Sequence, residues 1–297
     1  MVRGLLEDNC SVVVADNLSS THTLELISDV LDKVEFHHVD VRCPEDLARL
    51  PRGRYDRIFH LAASFANELS IEHPVLDART NADGTANVLA FAAHEGCDLF
   101  VYTGSSSSYG NIDVPMAEGD PKKPHTPYAR DKLRGEELVL TSGLPSAVFR
   151  LFNVYGPGDI PGRYRNVIPN MMRLLDDPSG RLRILGREAS RDFTFVHDVV
   201  TFMLEPERAR GEVVNTGTGQ ETRIIDLAEM ILELFGLDSD RMSFEEPRTW
   251  DLVSKRVADT SRLEALYGAT PRTQLAEGLT ATAHWLHDSG RIKQAPK

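Results

Sequence analysis

Five short apolar runs, SVVVAD (11–16), FHHVD (36–40), RIFHLAA (57–63), LFVYT (99–103) and AVFRLF (147–152), are separated by segments of helical character. Strands that alternate with helices do not pair as hairpins. Each needs a crossover, and right-handed crossovers lay the helices on both faces of a parallel sheet. The expected fold is α/β, a Rossmann-like doubly wound parallel sheet. From about Pro157 the alternation loosens, and the loop GDIPGRYRN (158–166), rich in Gly, Pro and Arg, marks a departure into a smaller α/β lobe. VVNTGTG (213–219) reads as a return to the sheet edge. The expected organisation is a larger domain of residues 1–157 plus 193–215, a smaller lobe of 158–192 plus 216–290, and a frayed polar tail, 291–297.

Composition removes several classes. A chain of 297 residues that is 41% hydrophobic can bury well-formed cores. No apolar run approaches the roughly 18–20 residues of a membrane span, and no charged-then-apolar leader opens the chain, so a cytoplasmic location is expected. Cys10, Cys43 and Cys97 are odd in number and widely spaced, which suits neither a disulfide framework nor a zinc site. A net charge of −12 argues against a general nucleic-acid partner, although local arginines can still hold a phosphate.

The chemistry is most legible where the strand 99–103 runs into TGSSSSYG (103–110) and on to the helix YARDKLRGEEL (128–138). Tyr128 and Lys132 are four residues apart and share a helix face. Thr126 as N-cap and Pro127 at the first helical position put Tyr128 in the first turn. There the helix dipole and the nearby ammonium both favour the phenolate, making Tyr128 a base near neutral pH. A tyrosine–lysine pair alone is more often a surface tyrosine above a solvated lysine. Ser105 changes that balance, because it closes an apolar strand, and ligands of parallel sheets bind beyond the carboxyl ends of strands. Asp16, followed by Asn17 and Leu18, ends the first run where a dinucleotide fold places its ribose-binding acid, although Asp-Asn is also a turn signal. Its charge would repel a 2′-phosphate, which favours NAD over NADP.

Strand, serine, then tyrosine and lysine resembles the catalytic set of the short-chain dehydrogenase/reductases. Tyr109-Gly110, RLFNVYGPG (150–158) and the C-terminal pattern are similar to the extended branch, the NAD-dependent nucleotide-sugar epimerases and dehydratases of UDP-glucose 4-epimerase type. The resemblance covers essentially the whole chain. It implies Ser105, Tyr128 and Lys132 as catalytic residues. It assigns cofactor contacts to Asp16, Asn17, Leu18, the adenine-side pair Asp40-Val41, the small-residue turn Leu61-Ala62-Ala63, Asn81, Thr103, Phe152, Tyr128 and Lys132. Asn81 is equally explicable as a helix cap. A nucleotide-diphosphate sugar would meet Ser105, Asn153, Asn166-Val167, Arg191, Arg248 and Asp251, in the contexts SRDFTFVHDV (190–199) and RTWD (248–251). Two guanidiniums can clamp a diphosphate, or simply pair with Asp192 or Asp251.

Dehydratases of this family carry Asp-Glu immediately after the Ser or Thr, and its decarboxylases a glutamate at the second position. This chain has Ser106 and Ser107. The resemblance therefore implies an NAD-dependent epimerase with no metal, inverting C4 of a UDP-hexose or hexuronic acid through a 4-keto sugar. A dehydratase, decarboxylase or 4-ketoreductase of the same family, or a cofactor-less nucleotide-sugar-binding remnant, are the alternatives. GRE (186–188) stands for the usual Gly-Asp-Gly, and the spacing from Asp251 to VADTS (257–261) is one residue longer than the family pattern implies, leaving base and sugar open. The helix NADGTANVLAFAAHEG (81–96) and the helix at Tyr128 carry more apolar residues than one sheet-facing stripe needs. In the family the matching pair builds a four-helix interface, so a homodimer is expected.

A dinucleotide fold opens with a strand, a Gly-rich turn and a helix, with the ribose acid about 20 residues after the glycines. Fifteen residues precede Asp16, with Gly4 as their only glycine, and MVRGLLEDN reads as the back half of the first helix. The expectation is that the first strand and the phosphate-binding turn lie upstream of Met1, and that the chain as written holds NAD poorly.

Overall fold

Each strand of the first half is followed by a helix that returns the chain to the same end of a sheet, and the apolar runs become parallel ladders. The computed structural model describes residues 1–19, 23–186, 188–246 and 253–296. Its strands are β1 Val13–Asp16, β2 Glu35–His38, β3 Tyr55–His60, β4 Cys97–Ser105, β5 Ser146–Leu151, β6 Asn153–Tyr155, β7 Leu182–Leu185, β8 Ser190–Arg191, β9 Phe193–Phe195, β10 Val213–Thr216, β11 Thr222–Arg223, β12 Met242–Glu245 and β13 Lys255–Arg256. Its α-helices are α1 Val2–Glu7, α2 Thr23–Leu26, α3 Pro44–Leu47, α4 Asn67–Glu72, α5 Pro74–Ala78, α6 Gly84–Glu95, α7 Pro127–Thr141, α8 Val167–Leu174, α9 Val196–Leu204, α10 Ile224–Phe235, α11 Ser261–Tyr267 and α12 Leu275–Asp288. Among the described residues no helix is long and apolar enough to cross a membrane.

The chain divides into two compact units: residues 1–108 with 126–150 and 200–214, and residues 109–125 with 151–199 and 215–297. In the first, β1 and β2 pair in parallel from Val13 opposite Glu35 to Asp16 opposite His38. A separate four-stranded sheet has the order β10-β5-β4-β3, with Ile58 of β3 opposite Phe100 of β4 and His60 opposite Tyr102. β4 is buried at every position except the half-buried Asp98, as a strand covered on both faces must be. β1 and β2 are half-buried or exposed throughout. Val39, Leu47, Val88, Leu89, Phe100, Tyr102 and Val148 form the core of this unit, each large side chain contributing about 1.5–3 kcal/mol by leaving water.

Three of the runs expected as strands end early, at β2, β3 and β5, whereas β1 ends at Asp16 and β4 runs on to Ser105. β3 stops at His60, so Leu61-Ala62-Ala63 leaves the sheet, and β2 stops two residues before Asp40. Asn81 does not open a helix. Pro74 starts one at α5, and the chain continues through a π-helical turn, Arg79–Asp83, into α6.

The second unit holds β6 parallel to β9, β7 parallel to β12, and the small sheet β11-β8-β13. Ile168 and Met172 of α8, Ile231 and Leu232 of α10, and Leu279 and Leu286 of α12 fill its core. It begins at Leu151 rather than near Pro157, and it also takes in residues 109–125. The reason is local bonding: Met116 bridges to Ala258, the Tyr109 hydroxyl donates to Asn215 (2.7 Å), and the Asn215 N–H donates to Glu118 (2.8 Å). The expected frayed tail is tied down in part. Ile292 is buried, and the N–H groups of Lys293 and Gln294 donate to Asp176 at 2.8 and 3.0 Å.

One close approach fixes α7 against its neighbours. A Cβ on Gly135 would stand 3.0 Å from the Asn81 carbonyl oxygen and closer still to the Tyr102 hydroxyl, so no larger residue fits without displacement. Gly135→Ala should therefore lower stability by about 1–3 kcal/mol, seen as a lower urea midpoint at unchanged slope. An unchanged midpoint would show that α7 does not approach this closely.

Candidate active site

β4 carries Thr103, Gly104 and Ser105 to its carboxyl end. Thr103 ties that end to β3 by donating to the His60 carbonyl (3.1 Å). Ser105 is buried; its hydroxyl accepts the Ser107 N–H at 3.2 Å, and its carbonyl accepts the Ser108 hydroxyl at 2.8 Å. This short turn fixes the serine without consuming its proton. At the start of α7 the Thr126 hydroxyl accepts from the Ala129 N–H (3.2 Å) and donates to Asn67 (2.6 Å), while Pro127 occupies the first helical position. Tyr128 is thereby held, half-buried, in the first turn, where unpaired N–H groups create a positive potential.

Lys132, one turn on, is 4% exposed. Its Nζ lies 4.4 Å over the Tyr102 ring, and the Tyr102 hydroxyl donates to the Lys132 carbonyl (3.0 Å). Burial pulls the lysine down to about 8, against the attraction of Asp77 and Glu136. Glu136 is shared with Arg150, which grips it at 2.9 and 2.5 Å with both side chains buried. His60 is also buried and held at about 3, first by burial and then by the Lys132 charge. It is therefore neutral. Its Nε2 stands 2.9 Å from the Thr85 hydroxyl, which spends its own proton on the Asn81 carbonyl (2.7 Å), so Nε2 carries the imidazole proton.

Asn81 sits on the π turn, a backbone irregularity that often marks functional positions. Its side chain donates to the Ser64 carbonyl (2.8 Å) and to Asp77 (3.0 Å), and accepts the Ser64 N–H (2.9 Å). This clamp orders the loop that follows β3, where Leu61 is exposed and Ala62 and Ala63 are half-buried. It is no helix cap.

At the ends of β1 and β2, the half-buried Asp16 accepts the Leu18 N–H (2.6 Å), and Leu18 takes a left-handed φ of 55°, uncommon for a bulky residue. Asn17 donates to Asp40 (3.2 Å), whose carboxylate Arg42 grips in a fork that holds it well below the usual range. Val41 packs on Gly84, and its carbonyl accepts from Asn87 (2.9 Å). The first unit contains every sequence-predicted cofactor residue except Phe152. That ring belongs to the second unit and is buried with Tyr109, Met116 and Ala258.

In the second unit Asn153 donates from both backbone and side chain to the Asp192 carbonyl, each at 3.1 Å. The exposed Asn166 donates to Asp159 (2.9 Å) and precedes Val167, the first residue of α8. Burial raises Asp159 to about 6. Arg191 turns back onto the carbonyls of Ser190 (2.8 Å) and Ser254 (3.1 Å). Arg248 and Asp251 lie outside the described residues. Sequence reasoning missed Asp77, Asp131 and the His60–Thr85 pair. The signal for Asp77 was its spacing of four from Asn81 on a helix that Pro74 starts.

The chemistry of these donors fits a dinucleotide. Carboxylates stand at the end of β1 and just beyond the end of β2, the kind of acceptor a dinucleotide fold offers to ribose hydroxyls, and Lys132 presents a buried ammonium with no ion pair among the described residues. The sequence matches the NAD dependent epimerase/dehydratase family over residues 1–217. The UDP-glucose 4-epimerase of Mycolicibacterium smegmatis is 31% identical over 98% of this chain and 95% of its own. The fold is similar to the UDP-glucose 4-epimerase of Thermotoga maritima solved with UDP-glucose, at TM-score 0.88 and 29% identity over 97% and 94% of the two chains. It is also similar to the dTDP-glucose 4,6-dehydratase of Streptomyces venezuelae solved with NAD, at TM-score 0.86 and 26% identity over 97% and 92%.

The buried lysine has a pH signature. Its folded-state value of about 8 lies below the ordinary 10.5, so between these limits the unfolded chain binds more protons and stability rises with pH; below pH 8 the full cost of the buried charge is present. Lys132→Met, which cannot ionise, lacks that slope. The gap in denaturation midpoint between variant and wild type should change in the wild type's favour as pH rises from 8 to 10.5. Parallel midpoints would mean that the ammonium is hydrated.

Proposed function

The chain belongs to the NAD dependent epimerase/dehydratase family, and we propose that it is an epimerase of nucleotide-diphosphate sugars, inverting C4 of a UDP-hexose or hexuronic acid. The observation that carries this reading is the set at the end of β4. Ser105 is kept with Tyr128 and Lys132, but the next two positions are the buried hydroxyls of Ser106 and Ser107, where the family's dehydratases carry two acids. Without those carboxylates the groups suffice for reversible oxidation of an alcohol and little else.

Bound NAD supplies the acceptor, and then the donor, of a hydride. Tyr128, as phenolate, takes the proton of the sugar hydroxyl and later returns it. Ser105 donates a hydrogen bond to the same oxygen as it becomes a carbonyl. Lys132 binds ribose hydroxyls of the cofactor and, as a buried cation on the same helix face, favours the phenolate over the phenol. Asp16 and Asp40 hold the adenosine end. Asn153, Asn166, Val167, Arg191, Arg248 and Asp251 would engage the nucleotide sugar. The UDP-glucose bound in the Thermotoga maritima relative supports a uridine sugar as the first to try. Cys10, Cys43 and Cys97 are unpaired, which suits a reducing compartment and supports a cytoplasmic protein.

We also infer a homodimer. Ile71 on α4, Val75 and Leu76 on α5 and Leu140 on α7 are large apolar side chains left exposed, and α4 and α5 both pack against α7. Apolar surface of this kind, on the helices nearest the site, suits a partner.

Two tests follow. Incubated with UDP-glucose and NAD, the protein should form the C4 epimer without accumulating reduced cofactor. Tyr128→Phe should lose about 10²–10⁴ in rate while binding nucleotide sugar normally, and Ser105→Ala should lose less. Near-wild-type activity in Tyr128→Phe would reject the assignment. For assembly, light scattering should give a dimer mass for the wild type and a monomer for Val75→Asp. A monomeric wild type would reject the dimer.

A further inference from the structure

Asp77 is fully buried, yet the acid–base set just described does not use it. We propose that Asp77 is a positioning residue for this reaction: it shares one proton with Asp131, and its charge, once that proton leaves, keeps Lys132 an ammonium. The proposal rests on the reading that Lys132 serves Tyr128.

The placement comes from three neighbouring segments. Asp77 lies on α5, which packs against α7, and α7 carries Asp131 and Lys132 side by side. One oxygen of Asp77 accepts from Asn81 (3.0 Å). Among the described residues the other is buried with no partner at hydrogen-bond distance, as is the hydroxyl of Ser64, which stands near enough to favour the charged Asp77 and whose backbone Asn81 clamps. A carboxylate that has lost its water and gained one donor is poorly stabilised, because an unpaired buried oxygen costs about 1–3 kcal/mol and more when charged. A carboxylic acid in the same place would have a proton to give. Both carboxyls are in fact held above their usual range, Asp77 to about 6 by burial and by Asp131, and Asp131 upward chiefly by its own burial.

The surrounding charges leave Asp77 as the adjustable one. Asn81 and Ser64 face it as neutral groups; Asp131 and Lys132 bear on it from α7. Arg130 and Asp83 act on Asp131 with opposite signs. Glu136, the other acid that attracts Lys132, is already paired with Arg150. His60 stays neutral and offers no counter-charge. Hence the electrostatic environment of Lys132 changes when the Asp77–Asp131 pair releases its proton. The ionised pair raises the proton affinity of the lysine, and a charged lysine keeps Tyr128 acidic enough to act. Coupling of this kind extends activity toward alkaline pH.

Difference infrared spectra of the purified chain between about pH 5 and about pH 8 test the shared proton directly. Asp159 is raised into the same range, so the readout is wild type minus variant: a carboxylic-acid component titrating near pH 6 should be present in the wild type, missing from Asp77→Asn and shifted to lower pH in Asp131→Asn. In the wild type and Asp77→Asn enzymes, the pH profile of kcat/KM with UDP-glucose tests the coupling. The alkaline limit should fall by about one pH unit in Asp77→Asn, whatever the change in kcat. Infrared titrations that coincide in the wild type and Asp77→Asn, or alkaline limits that coincide, would overturn the proposal. Should Asp77→Asn not fold, Asp131→Asn, at a half-buried position, carries the infrared readout: the Asp77 component should titrate at lower pH, and a component that stays near pH 6 would overturn the proposal. If the infrared result holds and no nucleotide sugar is turned over, the functional reading has failed rather than the proton-sharing pair.

Discussion

Keeping the ammonium of Lys132 out of water is the constraint around which the first unit is arranged. An ion of this kind costs several kcal/mol to bury unless its surroundings compensate. The compensation is spread over three elements. The Tyr102 ring supplies a π face at 4.4 Å, a contact that strengthens to about 2 kcal/mol when desolvated. The Tyr102 hydroxyl locks the backbone of the same residue. Glu136 lends part of its charge while Arg150 prevents it from capturing the lysine outright. The lysine that results is less basic than one in water and therefore responsive to what lies behind it.

Buried acids are handled in two different ways in the two units. Asp192 takes the N–H groups of Thr218 (2.9 Å), Gly219 (2.9 Å) and Ala258 (3.2 Å) and the hydroxyls of Thr218 (2.6 Å) and Thr194 (3.3 Å). Five donors from three segments turn that carboxylate into a structural knot, and they counter the upward push of burial. Among the described residues Asp77 has one donor at hydrogen-bond distance, Asn81, with the Ser64 hydroxyl nearby. Donor count separates an acid that fixes a loop from an acid free to exchange a proton.

The sequence made the strand-and-helix alternation legible because period and β-branching are local properties, and Thr126-Pro127 announced the start of α7 for the same reason. The shared helix face of Tyr128 and Lys132 was readable from their spacing, while the roles proposed for them and for Ser105 came from the resemblance to the family. What escaped depends on contacts between distant segments. Residues 109–125 belong with the second unit because Asn215 and Ala258, about a hundred residues on or more, bond to them. Arg191 was read as a diphosphate clamp or a partner of an acid, and the two backbone carbonyls its guanidinium meets have no signature in the sequence. Asn81 was read equally as a cofactor-side asparagine or a helix cap; a π turn has no compositional signature, and without the turn its bonds to Ser64 could not be foreseen.

That π turn has a consequence for how the chain can vary. An α-helix advances about 100° per residue, so losing or gaining one residue between Arg79 and Asp83 would rotate everything on one side of the turn by about that angle relative to the other. Substitutions on the outer face leave the winding intact. A change of length does not: with α6 held in place, Asp77 would swing off the face that meets α7, and with α5 held, Thr85 would leave His60. The segment works as a ruler whose count, more than its composition, is under constraint, and among descendants of this chain the interval from Pro74 to Thr85 should be the last place to accept an insertion or deletion.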